Sequence, residues 1–274
     1  MADVFVSLLA LVVIVGLGCV FVYLALMSLI YKLEAGSIQA GGGNFWKRLY
    51  RPRKLPMSQL AVLQQKFSYY KRLPPNKQQR FETRMVHLLQ TLEIEGRDGL
   101  IVTNEMRVLL AACLTKLTFG FRLYQIAGFR RIILYPDIYY STHSQSFNKG
   151  ETHIAGIVVL SWKDTLAGLA IEDDNLHLAI HEFAHALYMA HKRRWGVDQR
   201  FSLHWPLWLD FVQLESNIQQ LQKAGFLRAY AFSNQAELFA CLVEAFFEST
   251  DQFRQVHPNL FHIMSLLLNQ QKTG

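Results

Sequence analysis

The sequence predicts an α+β fold, mostly helical with a small sheet. Helical periodicity runs through most of the chain beyond residue 57. Only two short segments, 131–135 and 154–160, have strand-like composition. Ahead of them, 4–31 holds no charged residue. A helix of that length extends about 42 Å, more than the roughly 30 Å of a hydrocarbon core. One N-terminal transmembrane helix is therefore expected. A cleaved signal peptide would need a basic leading region and a shorter apolar run, whereas the one early charge is Asp3.

The elements follow in order. Residues 36–43 include three consecutive glycines and read as a flexible linker. The expected division is a transmembrane helix over 1–31, a basic, glycine-containing juxtamembrane linker over 32–57 and one domain over 58–274. Helices are expected over 58–71, 75–92 and 103–117. The strands at 131–135 and 154–160 come next, then helices over 162–170, 173–193, 205–224, 234–248 and 258–268. Asp173 and Asp174 open the helix at 173–193 and Lys192, Arg193 and Arg194 close it, as the helix dipole favours.

That helix carries His181-Glu182-Phe183-Ala184-His185, the HExxH pattern. Residues four apart share a helix face, so both imidazoles can address one Zn²⁺ at about 2.0–2.1 Å. Glu182, between them, is placed as a general base towards water. With this motif the layout reads as zincin-like. A catalytic zinc needs a third protein ligand. His191 completes a metzincin spacing, but Tyr188 stands where that pattern needs a glycine to break the helix. In an unbroken helix His191 faces about 240° away from His185. The other candidate is Glu237, in the first turn of a helix capped by Ser233 or Asn234. Glu244, seven residues on, shares its face. Two roles are open to Glu244: orienting His181 or His185, or forming a structural ion pair.

Longer stretches reach a family. Arg228-Ala229-Tyr230-Ala231-Phe232-Ser233-Asn234-Gln235-Ala236-Glu237, Val158-Val159-Leu160-Ser161-Trp162 before the HEFAH helix, and Gly99-Leu100-Ile101-Val102-Thr103-Asn104-Glu105 resemble the Mlc titration factor A family of zinc peptidases. The resemblance covers roughly residues 60–268. It implies a gluzincin-type site with His181, His185 and Glu237 as zinc ligands and Glu182 as catalytic base. It also implies that Tyr230 steadies the oxyanion. Peptide hydrolysis of a peptide or protein substrate is the expected activity. The rival expectation is a zinc-fold binding protein that sequesters a cytoplasmic regulator at the membrane.

Charge sets the expected location. Residues 32–84 hold 12 Lys and Arg against two Glu, and the rest of the chain holds 16 basic against 19 acidic residues. Lys47, Arg48, Arg51, Arg53 and Lys54 follow the apolar run. The positive-inside bias places them, and the domain, on the cytoplasmic side of the inner membrane as a single-pass protein. Anionic lipid is their expected partner and no nucleic acid is expected. Cys19, Cys113 and Cys241 form no CxxC and no even framework, which suits a reducing compartment.

Two further features bear on the cleft. The strand at 154–160, just before the metal helix, is expected to border it and offer an open edge to a peptide. His143 and His153 flank the polar stretch 141–152, expected to be a loop over the cleft.

Overall fold

The computed structural model describes residues 54–171 and 173–270. The α+β expectation holds: helices dominate around a small sheet. The helices are α1 Met57–Lys66, α2 Ser68–Lys71, α3 Pro75–Thr91, α4 Asn104–Leu117, α5 Trp162–Ala170, α6 Leu178–Lys192, α7 Gln199–Gln213, α8 Glu215–Lys223, α9 Gln235–Glu248, α10 Thr250–Val256 and α11 Pro258–Leu268. Strands are β1 Glu93–Gly96, β2 Arg131–Tyr135, β3 Tyr139–Ser141, β4 Ser146–Asn148, β5 Gly150–His153 and β6 Ile157–Ser161. A 3₁₀ turn, Ala229–Phe232, precedes α9.

Two expected helices are broken. Phe67 is extended (φ −124°, ψ 91°) between α1 and α2, and its buried ring lies 6.1 Å from that of Phe81. Leu214 is likewise extended between α7 and α8. Side-chain caps fix other boundaries. Thr103 Oγ1 accepts from Met106 N at 3.2 Å before α4, and Ser161 Oγ accepts from Asp164 N at 3.2 Å before α5.

The expected placement as a single-pass inner-membrane protein is corrected. Among the described residues no helix is long and apolar enough to cross a membrane. The longest of them, α3, has 17 residues, about 26 Å of helix. The apolar faces of the described helices pack into a common core instead. The run 4–31 and the basic residues Lys47, Arg48, Arg51 and Arg53 lie outside the described residues.

The sheet runs β1-β2-β6-β5, with β1, β2 and β6 parallel and β5 antiparallel to β6. Ile132 pairs with Val158, and Val158 pairs with Thr152. β6 is therefore interior, which corrects the expectation that this strand has an open edge. The edge belongs to β5, a strand too polar to stand out in the sequence. β3 and β4 form a separate hairpin, so the polar stretch 141–152 is largely strand rather than loop. Helix α6 packs against α9, α4, β5 and β6.

The C-terminal end of α4 is closed by distant side chains. Buried Arg84 donates from Nη1 to Thr118 O and Phe119 O, each at 2.9 Å, and from Nη2 to Phe121 O. Gln270 Nε2 donates to Lys116 O and Leu117 O, each at 2.9 Å. Asp198 Oδ2 accepts from Arg122 N at 2.7 Å and Leu123 N at 3.0 Å. A cation suits the negative end of a helix. Burial lowers Arg84 to about 10, which still leaves it charged at neutral pH.

Replacing Arg84 with Met keeps much of the volume but strands those carbonyls. Unsatisfied buried polar groups cost about 1–3 kcal/mol each. Arg84→Met is expected to lower unfolding stability by roughly 2–4 kcal/mol, read from denaturant midpoints at unchanged m-value.

Candidate active site and metal centre

The core of the site is a pair of histidines one helical turn apart. On α6, His181 and His185 are both buried, with their Nε2 atoms 3.0 Å apart. Two imidazole lone pairs at that distance repel unless a cation or proton lies between them. Helix α9 supplies the third group. Asn234 caps it, accepting from Ala236 N at 2.9 Å and Glu237 N at 3.0 Å, so Glu237 falls in the first turn. Glu237 Oε2 stands 3.1 Å from His181 Nε2 and 3.3 Å from His185 Nε2.

These three atoms fit a metal ion. Nitrogen and oxygen ligands at about 2.0–2.1 Å in a tetrahedron are separated by about 3.3 Å, and the observed edges are 3.0, 3.1 and 3.3 Å. The electrostatics fit as well. Burial would raise the Glu237 carboxyl, but hydrogen bonds from His181 and His185 outweigh it and hold the group well below the usual carboxylate range. Burial would lower His181, yet its contacts with Cys241, Glu237 and Glu244 raise it well above the ordinary imidazole value.

Glu244 orients the first histidine. Its Oε2 lies 3.1 Å from His181 Nδ1. With Nδ1 donating there, Nε2, on the side of Glu237 and His185, is the nitrogen an ion would take in place of a proton. Arg228 fixes Glu244 in turn, donating from Nη2 at 2.6 Å, and donates from Nη1 to Asn175 O at 2.9 Å. Both roles open to Glu244 in the sequence are thus filled at once. Buried Cys241, one turn beyond Glu237, is grouped with His181 and Glu244.

Glu182 is buried beside this triangle. Its Oε2 is 2.7 Å from the Thr152 hydroxyl, which is also 2.9 Å from Glu182 O. Burial raises its carboxyl above the ordinary range, with His185 and His181 pulling the other way. Thr152 lies on β5, and Gly150 of the same strand passes so close that an added Cβ would stand 2.6 Å from Glu182 Oε1. Tyr230, on the 3₁₀ turn, is 56% exposed. Burial of its remainder and the nearby Glu237 carboxylate raise its hydroxyl. His191 is elsewhere, its ring 4.3 Å from that of Trp205.

The structure therefore brings together His181, Glu182, His185, Tyr230 and Glu237. Thr152 and Gly150 were not singled out in the sequence, and Arg228 entered it only as the first residue of the stretch 228–237, without a role. No local pattern marks what these residues do, because each acts across a tertiary contact. A cleft of about 400 Å³ opens over the group, lined by His181, Glu182, Arg228 and Tyr230, by Gly150, and by Phe147 and Leu176. Phe147 and Leu176 are exposed.

The chain is similar to known proteins along most of its length. Residues 44–268 match the family described as glucose-regulated metallo-peptidase M90. An uncharacterized protein of Synechocystis, slr2042, is 27% identical over 240 residues, covering 80% of this chain and 85% of that protein. Mlc titration factor A of Yersinia pestis and that of Yersinia pseudotuberculosis are each 28% identical over 205 residues, covering 67% of this chain and 74% of theirs.

Gly150 offers a test of the close approach between β5 and Glu182. Gly150→Ala is expected to push the strand or the carboxylate aside, at a cost of roughly 1–3 kcal/mol for an overpacked site. Thermal unfolding of wild type and variant measures it, and an unchanged melting temperature would refute the constraint.

Proposed function

The chain belongs to the glucose-regulated metallo-peptidase M90 family, and on that premise we propose that it is a zinc-dependent peptidase with a gluzincin-type site on a zincin-like fold, carried by residues 58–274. The observation that carries this reading is the triangle of His181 Nε2, His185 Nε2 and Glu237 Oε2 with Glu182 buried beside it, His181 and Glu182 lining a cleft. His181, His185 and Glu237 would hold the ion. A zinc ion there supplies Lewis acidity, polarising a peptide carbonyl and making water a nucleophile near neutral pH.

The chain's own groups do the rest. Thr152 holds Glu182 Oε2, which leaves Oε1 to take the proton of the attacking water and pass it to the leaving amine. The raised carboxyl of Glu182 brings its proton affinity closer to that task. The Tyr230 hydroxyl donates to the carbonyl oxygen as negative charge develops. A substrate backbone can pair with the edge of β5, and the exposed Phe147 and Leu176 favour apolar side chains in the cleft.

A second reading draws on the name of the Yersinia relatives, Mlc titration factor A. It is a protein that binds a regulator through the same cleft, with little hydrolysis. A glutamate between the two histidines supports the enzyme, because a structural zinc needs no base and usually closes its fourth position.

Glu182→Gln is expected to keep bound zinc while slowing peptide hydrolysis by about 10²–10⁴-fold. Tyr230→Phe should also keep zinc and slow hydrolysis by about 10²–10³-fold. Rates on a peptide library at matched zinc content decide it. No turnover by wild type, or equal rates in all three, would favour the binding reading.

The ligand assignment has its own test in zinc content measured by plasma mass spectrometry. Glu237→Ala is expected to lower it, and His191→Ala to leave it unchanged. The reverse pattern would overturn the His₂Glu set.

A further inference from the structure

A second cluster of metal-binding donors stands on the opposite face of β5. Side chains alternate along a strand. Gly150 and Thr152 face Glu182 on α6, so Glu151 and His153 project the other way. His143, in the turn between β3 and β4, meets them there, its ring 5.2 Å from that of His153. One ligand atom from each of His143, Glu151 and His153 lies within 4.8 Å of the others.

We propose that His143, Glu151 and His153 form a second divalent-metal site, suited to Zn²⁺ or a similar transition ion, that clasps the β3–β4 hairpin to the edge strand β5. Two imidazoles and one carboxylate are the donors that such ions favour over Ca²⁺ or Mg²⁺. Glu151 Oε2 is 3.5 Å from His153 Nε2. That is longer than a good hydrogen bond of about 2.7–3.2 Å, but close to the roughly 3.3 Å that a shared ion sets between its ligands. Asn148 Nδ2 stands 3.4 Å from Glu151 Oε2 and steadies the carboxylate. Ser141 Oγ accepts from His143 N and Ser144 N, each at 3.2 Å, which shapes the turn that carries His143. His143 is exposed and its two partners half-buried, so an ion can enter from solvent and keep water in its remaining positions.

The location gives the site a role. Phe147, Asn148 and Gly150 line the cleft. Thr152, which holds Glu182, sits between the two strand ligands. An ion bound to His143, Glu151 and His153 would tie the turn to β5 and stiffen that wall of the cleft. This inference stands whether or not the cleft hydrolyses peptides.

The test uses the full chain, stripped of metal by chelation and titrated with Zn²⁺ alone in a calorimeter. Wild type is compared with the His143→Ala/His153→Ala double variant, with Glu151→Gln and with His185→Ala. The double variant and Glu151→Gln are expected to bind one Zn²⁺ fewer per chain than wild type, and His185→Ala to retain that ion. Zn²⁺ should also slow amide exchange over residues 141–153 in wild type and His185→Ala but not in the double variant. None of the side chains of His143, Glu151 and His153 is in the apolar core, and far-ultraviolet circular dichroism verifies that each variant is folded. Equal Zn²⁺ stoichiometry in wild type and the double variant would overturn the proposal. So would loss of all Zn²⁺ binding from His185→Ala. Unchanged zinc content in His185→Ala, with one ion lost from the double variant and from Glu151→Gln, would fault the HExxH assignment and leave the second site standing.

Discussion

The constraint on which the structure turns is the burial of charge around His181. Its ring is enclosed between two helices, with Glu244 on one nitrogen and Glu237 and His185 on the other. An ionised group in such surroundings is tolerated only when it is paired and hydrogen-bonded. Removing one member would leave the others as uncompensated buried charges. Arg228 completes the pairing at Glu244, which is why the segment before the 3₁₀ turn must lie against α6 and α9. Apolar contacts hold the same two helices together, among them the rings of Tyr188 and Phe239, 5.8 Å apart. The polar cluster is costly alone. It persists because the packing of α6 on α9 places every charge opposite a partner.

The second requirement is a strand edge beside the motif helix. β2 and β6 are the apolar centre of the sheet, and their pairing buries Ile132, Leu134, Val158 and Leu160. β5 joins at the margin, where polar residues are tolerated on both faces. One face serves Glu182 through Thr152 and the closeness of Gly150. The other collects Glu151 and His153. A single short strand thus links the floor of the cleft to the hairpin on its rim.

Support for the site reaches further back. α4 packs against α6, and its C-terminal end is closed by Arg84, Gln270 and the turn held by Asp198. These residues are far apart in sequence, so the last helix and the segment before α7 help to fix the platform behind the HExxH helix. Gly120 permits this closure. An added Cβ there would stand 2.2 Å from the carbonyl oxygens of Leu268 and Asn269, and both are backbone atoms with little freedom to yield.

Much of this was legible in the sequence because it is encoded locally. The α+β class, β2, α5 and α11 follow from periodicity and composition. The i, i+4 spacing on a helix dictates that His181 and His185 share a face. Glu237 was readable as a candidate because its capping residue sits just ahead of it. Other features were not readable. β5 carries Gly150, Glu151, Thr152 and His153, a composition with no strand signature, and it becomes a strand only because β6 presents free backbone groups to it. The open edge was therefore assigned to the wrong strand. At Phe67 the break turns a ring into the core, whereas the Leu214 side chain at the other break is exposed; both run against an uninterrupted helical pattern. Thr152 and Arg228 reach their partners across 30 and 16 residues. Helix periodicity is enough to say which residues can share a face. Which faces meet emerges only in the folded chain, because it depends on packing and charge pairing between distant segments.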